Sequence, residues 1–226
     1  MSPEHWFAAA QDILVAEGVE AIRIDRLCQA LDVTKGSFYW HFASRAVFLG
    51  AFLNHWREST TLGVIENLSG QGLDPETRLR TLLAFPQRPR APAAAQVEQS
   101  IRSWARREVL AREALAEVDR IRRSFISAML IEIGFDAEAA EARARMAYAY
   151  MLGDAILAAG ETHEPDRTQQ EMLLALFTAP LEGDAQKNRV RTISWAFLTI
   201  SINSSLLMTP SPSSSASATM QWMSSS

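Results

Sequence analysis

Cysteine is nearly absent from this sequence, and its few histidines are scattered. The single Cys28 excludes a disulfide framework, and the four histidines lack a second cysteine or the spacing of zinc ligands: His5, His41, His55 and His163. Because Cys28 falls among apolar residues at helical spacing, we interpret it as a small core residue rather than a thiol sensor. We therefore expect neither a metal site nor a cofactor.

The sequence motifs of common enzyme classes are also missing. The chain contains no glycine-rich phosphate loop, nucleophile elbow, Cys/His pair or cluster of carboxylates. Its apolar run at residues 193–202 is too short to span a bilayer, and the N-terminus lacks the pattern of a signal peptide. We therefore expect a cytoplasmic protein that is not an enzyme and makes no membrane contact.

What the sequence does contain is helical patterning over most of its length. Hydrophobic residues make up 48% of the 226 positions, enough to bury one small domain and one of medium size. Alanine-rich segments with helical spacing, and few alternating β-branched residues, predict an all-α fold. Helices are predicted at residues 44–68, 94–107, 112–133, 137–159 and 167–177, with a further one opening at Asp74-Pro75-Glu76 and a loop at 87–93.

Two short helices separated by a tight turn are predicted between residues 23 and 49. Four apolar residues at helical spacing give the first helix one buried face: Ile24, Leu27, Cys28 and Leu31. Asp32 suits the turn because its side chain tolerates left-handed backbone, and Val33 can fill the gap between the helices. Thr34 is expected to cap the second helix through its hydroxyl, so that the helix begins at about Lys35.

The outward face of this second helix has the character of a DNA-binding surface. Phe38 and Phe42 fall on the inward side, which leaves Tyr39 and Trp40 facing water with Gly36 and Ser37. A small residue, a hydroxyl and aromatic rings suit contact with a DNA groove better than solvent. No acidic residue occurs from residue 33 to 57, although the chain carries a formal net charge of −4. The alternative is a packing or dimer surface.

The segment Gly18–Leu49 resembles the N-terminal DNA-binding domain of the tetracycline-repressor (TetR) family, most closely at Val33–Phe42 with Ser44 and Arg45. The resemblance implies a first helix at residues 4–17, a helix-turn-helix, and a long fourth helix leading to a helical regulatory and dimerisation bundle. It also implies that Arg45 holds a phosphate where the family usually has Lys. The residues implied to face DNA are Thr34, Lys35, Gly36, Ser37, Tyr39, Trp40 and His41.

Four positions depart from the family pattern without lying on the reading face. Arg23 replaces the usual Ser or Thr at the start of the second helix, Asp32 replaces the usual Gly in the turn, and Ala46-Val47 replace acidic residues. From composition and resemblance together we expect a DNA-binding domain at 1–50, an effector-binding and dimerisation domain at 51–180, and an atypical, disordered tail at 181–226.

Large, adaptable apolar side chains in the second domain could line an effector pocket, although an ordinary bundle core would need the same residues. The candidates are Phe85, Trp104, Phe125, Met129, Tyr148 and Met151. Arginines are dense between residues 78 and 123, but acidic residues interleave with them at helical spacings. We interpret these charges as paired, solvated helix faces and not as a second nucleic-acid site.

The resemblance further implies that the last two helices, 137–159 and 167–177, pair with those of a second copy. Small residues that permit close approach are Ala144, Ala147, Ala149 and Gly153, and residues that supply contact area are Met146, Tyr150 and Leu152. Packing within one chain is the alternative.

The function expected from the sequence is that of a homodimeric bacterial transcriptional regulator, in the cytoplasm and on the nucleoid when bound. More specifically, we expect a repressor that an unknown small-molecule effector releases from palindromic double-stranded DNA. The alternative is a helical adaptor that no longer binds specific DNA.

Overall fold

Residues 1–157 and 167–179 are described by a computed structural model, and within these ranges the chain forms helices and turns without a β-strand. The predicted all-α fold class is thus confirmed. The α-helices of the described ranges are α1 (Pro3–Glu17), α2 (Ile24–Leu31), α3 (Lys35–His41), α4 (Arg45–Arg57), α5 (Gly63–Gly70), α6 (Pro75–Leu83), α7 (Ala91–Ala105), α8 (Val109–Ile133), α9 (Ala137–Leu157) and α10 (Arg167–Thr178).

Aromatic rings hold α1, α3 and α4 together. Phe38 of α3 is fully buried, and its ring meets that of Trp6 in an edge-to-face contact with 5.4 Å between centroids. Phe42 is buried as well and lies 4.9 Å from the ring of Phe48 in α4. Edge-to-face pairs stabilise a core beyond the area that they bury. The predicted inward side of α3 is therefore confirmed.

The turn between α2 and α3 has the left-handed conformation that the sequence predicts for Asp32, with φ 52° and ψ 49°. The amide of Val33 donates to the carbonyl oxygen of Cys28 at 3.0 Å, which closes α2. The predicted side-chain cap of α3 is wrong, because the Thr34 hydroxyl accepts no amide hydrogen bond. Instead the backbone carbonyl of Thr34 accepts from the amide of Ser37 at 3.0 Å.

The helix predicted at residues 44–68 is one helical path with a defect in it. The Ser44 hydroxyl accepts from the amide of Val47 and starts α4, and a π-helical turn, Glu58–Leu62, joins α4 to α5. The hydroxyl of Thr60 donates to the carbonyl oxygen of Trp56 at 2.7 Å. Hydroxyls that bond to helix carbonyls compete with the regular ladder, which gives this Ser-Thr-Thr stretch a reason to widen.

Two clusters of buried apolar side chains make up the core. The first joins α1–α4 to α7 and α8 through Ile101, Trp104 and Val118. The second lies among α6, α8, α9 and α10. The predicted domain boundary after residue 50 falls inside α4, whose Phe52 and Trp56 belong to the first cluster.

The predicted loop at 87–93 is shorter in the structure, because α7 begins at Ala91 with Pro92 in its first turn. A proline is tolerated there, since that amide has no partner within the helix. The predictions for the tail at 181–226 lie outside the described residues.

Candidate DNA-binding surface and internal cavity

The outward face of α3 is the most exposed aromatic surface of the N-terminal helices. Trp40 is 85% exposed and Tyr39 54% exposed, while Phe38 between α1 and α4 is fully buried. Thr34, Lys35 and Gly36 are also exposed, and Ser37 and His41 are partly exposed. The structure thus brings these seven predicted residues together on one surface of α3 and its first turn.

Lys35 contributes a cation to this surface, held by an ion pair with Asp25 of α2. Its Nζ lies 2.6 Å from Asp25 Oδ1, and both side chains are well exposed. The hydrogen bond to Asp25 raises the pKa of Lys35. Because exposed ion pairs contribute little free energy, Lys35 can exchange Asp25 for another anion at small cost.

Arg45 makes contacts that the sequence did not predict. Its Nε donates to the carbonyl oxygen of Ile22 at 2.5 Å, and another guanidinium nitrogen donates to the carbonyl oxygen of Val19 at 2.9 Å. These carbonyls lie in the connection between α1 and α2, so Arg45 ties that connection to the start of α4. The phosphate contact expected of Arg45 stays a prediction, and it would compete with these two hydrogen bonds.

A cavity of about 470 Å³ that opens to solvent lies between the π-helical turn, the segment after α6, and helices α7, α8 and α9. Four of the six predicted pocket residues line it: Phe85, Phe125, Tyr148 and Met151. Trp104 and Met129 do not line it. Trp104 is buried in the first core cluster and Met129 in the second. Both side chains pack between helices and therefore do not face the cavity.

Charged side chains form a hydrogen-bonded network at one wall of the cavity. Glu98 accepts from Arg102 at 2.7 Å and from Arg122 at 2.8 Å. Arg102 also donates to Asp119 at 2.7 Å, and the Tyr148 hydroxyl donates to the same carboxylate at 2.7 Å. Within this network the prediction that the charges pair is confirmed, but the prediction that they are solvated is wrong, since only 13% of the Glu98 side chain is exposed. Other charged residues of the stretch, such as Arg112, are exposed as predicted.

The network holds its charges despite its burial. Burial lowers the pKa of Arg102, but hydrogen bonds to Asp119 and Glu98 outweigh it and the net shift is upward. For Arg122 burial likewise opposes the charge, and the attraction of Glu98 more than compensates. Burial raises the pKa of Tyr148. Both guanidinium groups of the network therefore stay cationic at neutral pH, and the phenol stays neutral.

Residues 7–52 match the family of bacterial regulatory proteins, tetR family, over α1, α2, α3 and the first half of α4. This match covers the N-terminal helices alone, so it is this part of the chain that is similar to the tetR family. No curated protein has a significantly similar sequence.

Solved structures share the fold of this chain over most of its length. A transcriptional regulator from Rhodococcus sp. Rha1 has 23% identity and a TM-score of 0.61, covering 79% of this chain and 94% of the other. FadR from Bacillus subtilis, solved in complex with stearoyl-CoA, has 12% identity and a TM-score of 0.61, covering 80% and 100%. A TetR transcriptional regulator from Legionella pneumophila has 16% identity and a TM-score of 0.60, covering 78% and 95%.

The cavity is connected to the helical path of α4 through contacts that could not be predicted from the sequence. Arg122 of α8 donates to the hydroxyls of Thr61 at 3.0 Å and Thr60 at 3.3 Å, both in the π-helical turn. Arg57 at the end of α4 pairs with Glu117 of α8 at 2.7 Å. The four-residue spacing of Glu98 and Arg102 was a usable signal, but the contact of Arg122 with the turn was not visible in the sequence.

Apolar side chains are exposed on α9 and α10. Met146 is 54% exposed, Met172 68% and Leu176 66%. Ala144 and Ala147 are instead fully buried within the chain's own core, so their predicted place on a dimer face is wrong. Ala144 and Ala147 lie on the side of α9 that faces the chain's own core, and Met146 lies on the side that faces solvent. With 3.6 residues per turn, one side of the helix cannot face both the core and a partner.

The described part of the chain contains no helix long and apolar enough to cross a membrane. Within the same residues, no three His, Cys, Asp or Glu side chains gather as they would around a metal ion.

Proposed function

We propose that this protein is a homodimeric transcriptional regulator that binds a two-fold symmetric DNA operator through the outward face of α3. The observation that carries the proposal is the exposure of Trp40 and Tyr39 beside the buried Phe38. A large exposed aromatic ring is unfavourable in water unless a partner covers it. The absence of acidic residues from position 33 to 57 makes a DNA backbone a suitable partner.

Dimerisation follows from the size of the reading helix and from the apolar surface of the last helices. A helix as short as Lys35–His41 contacts few bases, so specific recognition needs two copies about 34 Å apart. The exposed Met146, Met172 and Leu176 offer a surface for helix pairing across a two-fold axis. Ala149 and Gly153 on α9 are small enough to permit close approach of the helices.

Release from DNA by an effector is the second part of the proposal, and it places the effector in the cavity. Arg122 belongs to the cavity wall and also holds the π-helical turn that continues from α4. A ligand that displaces Arg122 from Thr60 and Thr61 would change the geometry of α4, and with it the spacing of two α3 helices in a dimer. FadR, which shares the fold, was solved with stearoyl-CoA. We assign the protein to the bacterial cytoplasm and, when bound, to the nucleoid.

Selection of bound fragments from random double-stranded DNA tests this function. The expected result is a consensus with two-fold symmetry, bound by a dimer. Tyr39→Ala should abolish the preference for that consensus, whereas Val47→Ala, which also removes an exposed side chain after α3, should retain it. Equal binding to consensus and scrambled DNA by the unmodified protein would favour the adaptor alternative and reject the proposal.

A further inference from the structure

The charges around the cavity are not balanced. Among the described residues that line it, four are arginines and one is an acid: Arg88, Arg90, Arg102, Arg122 and Glu98. Glu98 is shared between Arg102 and Arg122, and Asp119 behind the wall pairs with Arg102. The inner pair of arginines is therefore neutralised by two carboxylates. Arg88 and Arg90 have no carboxylate within ion-pair distance in the described part of the chain.

Arg88 and Arg90 lie on the segment between α6 and α7, where both are exposed at the cavity wall. The guanidinium carbon of Arg88 lies 3.9 Å from the centroid of the Phe85 ring, and Phe85 also lines the cavity. This cation–π contact holds the Arg88 charge against the cavity wall. The cavity thus has an uncompensated positive rim.

The remaining wall is mainly apolar. Val64, Leu82, Phe125 and Met151 line it, and the nearby polar groups of Arg122 and Tyr148 already have protein partners. Such a wall stabilises an apolar body by removing its surface from water. A volume of about 470 Å³ accommodates a small organic molecule.

We propose that the cavity binds a small amphipathic organic anion, with its apolar body against α8 and α9 and its anionic group at Arg88 and Arg90. This inference rests on the proposed function for its regulatory meaning, but the binding itself does not require DNA. A cationic ligand would meet two unpaired arginines, and Glu98 is already engaged by two guanidinium groups. A neutral ligand would leave the rim arginines without a counter-charge.

Isothermal titration of the full chain with matched probes tests the proposal. Octanoate, octanol and octylamine share one aliphatic body and differ in charge, while naphthoate and naphthylmethanol form an aromatic pair. We expect at least one carboxylate to bind about tenfold or more tightly than its alcohol, as for a charge-assisted hydrogen bond at an accessible site. The pair with the larger ratio identifies an aliphatic or an aromatic body.

The double variant Arg88→Gln/Arg90→Gln should remove the preference for the carboxylate and leave the affinity for the alcohol unchanged. Arg112→Gln, an exposed arginine of α8 that does not line the cavity, is the matched control and should retain the preference. Equal affinity for acid and alcohol, tighter binding of the amine, no binding of any probe, or an unaltered preference in the double variant would each overturn the proposal.

Binding to consensus DNA without any probe is measured on the same preparations. If the protein binds the consensus DNA but does not prefer the carboxylate probes, only the proposal of an anionic ligand is rejected. Carboxylate binding without specific DNA binding rejects only the regulatory function.

Discussion

Arg122 Nε lies 3.0 Å from the hydroxyl oxygen of Thr61, and this hydrogen bond joins the cavity wall to the helical path that begins with α4. Thr61 is buried, and the other side of the Arg122 guanidinium is held by Glu98. One side chain therefore contacts the cavity, the ion-pair network and the π-helical turn. We therefore expect a change at any one of these three places to alter the position of Arg122 at the other two.

Replacing Arg122 by Met should lower the free energy of unfolding by about 2 kcal/mol. The loss is smaller than that of a fully broken buried ion pair, because Glu98 keeps Arg102 as a partner. Urea denaturation measures the change. Arg123→Met is the matched control on the same helix, and its half-exposed, 3.8 Å ion pair predicts a change within about 0.5 kcal/mol. Equal losses of unfolding free energy in both variants would contradict a stabilising role of the Arg122 hydrogen bonds.

Arg45→Met should lower the free energy of unfolding by about 1–2 kcal/mol in the absence of DNA, because the carbonyls of Ile22 and Val19 lose their donor. Arg26→Met is the control, since its ion pair with Glu17 is exposed on both sides. Thermal or urea unfolding of the two variants measures whether Arg45 stabilises the fold. Unchanged stability combined with a weaker dependence of DNA affinity on salt would instead support the phosphate contact expected from the sequence.

Asp32→Val should destabilise the protein by about 1–2 kcal/mol, because a β-branched residue is strained at φ 52°. Asp32→Gly, which restores the residue usual in the family, should lie within about 0.5 kcal/mol of the unmodified protein. In the Asp32→Gly variant the backbone strain at this position is relieved, but the unfolded chain gains conformational entropy, and the two effects on stability offset each other. Urea denaturation of both variants checks this, and a Val variant as stable as the Gly variant would contradict the left-handed turn.

The double variant Met172→Asp/Leu176→Asp should convert the proposed dimer to a monomer, since two charges per copy would be buried against each other. Sedimentation velocity measures the mass in solution. Val109→Asp places a charge on another exposed apolar residue, at the start of α8, and should leave the dimer intact. A dimer that survives the double variant would place the interface elsewhere.

The helix-turn-helix could be predicted closely because its signals are local. The spacing of Phe38 and Phe42 fixes which side of α3 is buried, and the turn at Asp32 follows from the properties of that one residue. The cap at Thr34 and the contacts of Arg45 could not be predicted so well. A side-chain hydrogen bond depends on a rotamer, and Arg45 reaches carbonyls more than twenty residues away in the chain.

The cavity was only partly predictable for the same reason. Phe85, Phe125, Tyr148 and Met151 line the cavity, but Trp104 and Met129, which residue type suggested equally, lie in the core. Which large side chain faces a cavity is decided by how α7, α8 and α9 pack against each other. The π-helical turn likewise arises from hydroxyl contacts that no helical periodicity reveals.

The affinity of the protein for its selected consensus, relative to a scrambled duplex of the same length and at the same salt concentration, tests the central claim that α3 reads DNA. We expect the unmodified protein to prefer the consensus by at least about a thousandfold, within the range of specific regulators. Trp40→Ala should lose most of that preference while its unfolding free energy changes by no more than about 0.5 kcal/mol, because the ring is 85% exposed. A Trp40→Ala protein that keeps the full preference, or an unmodified protein with none, would contradict the account.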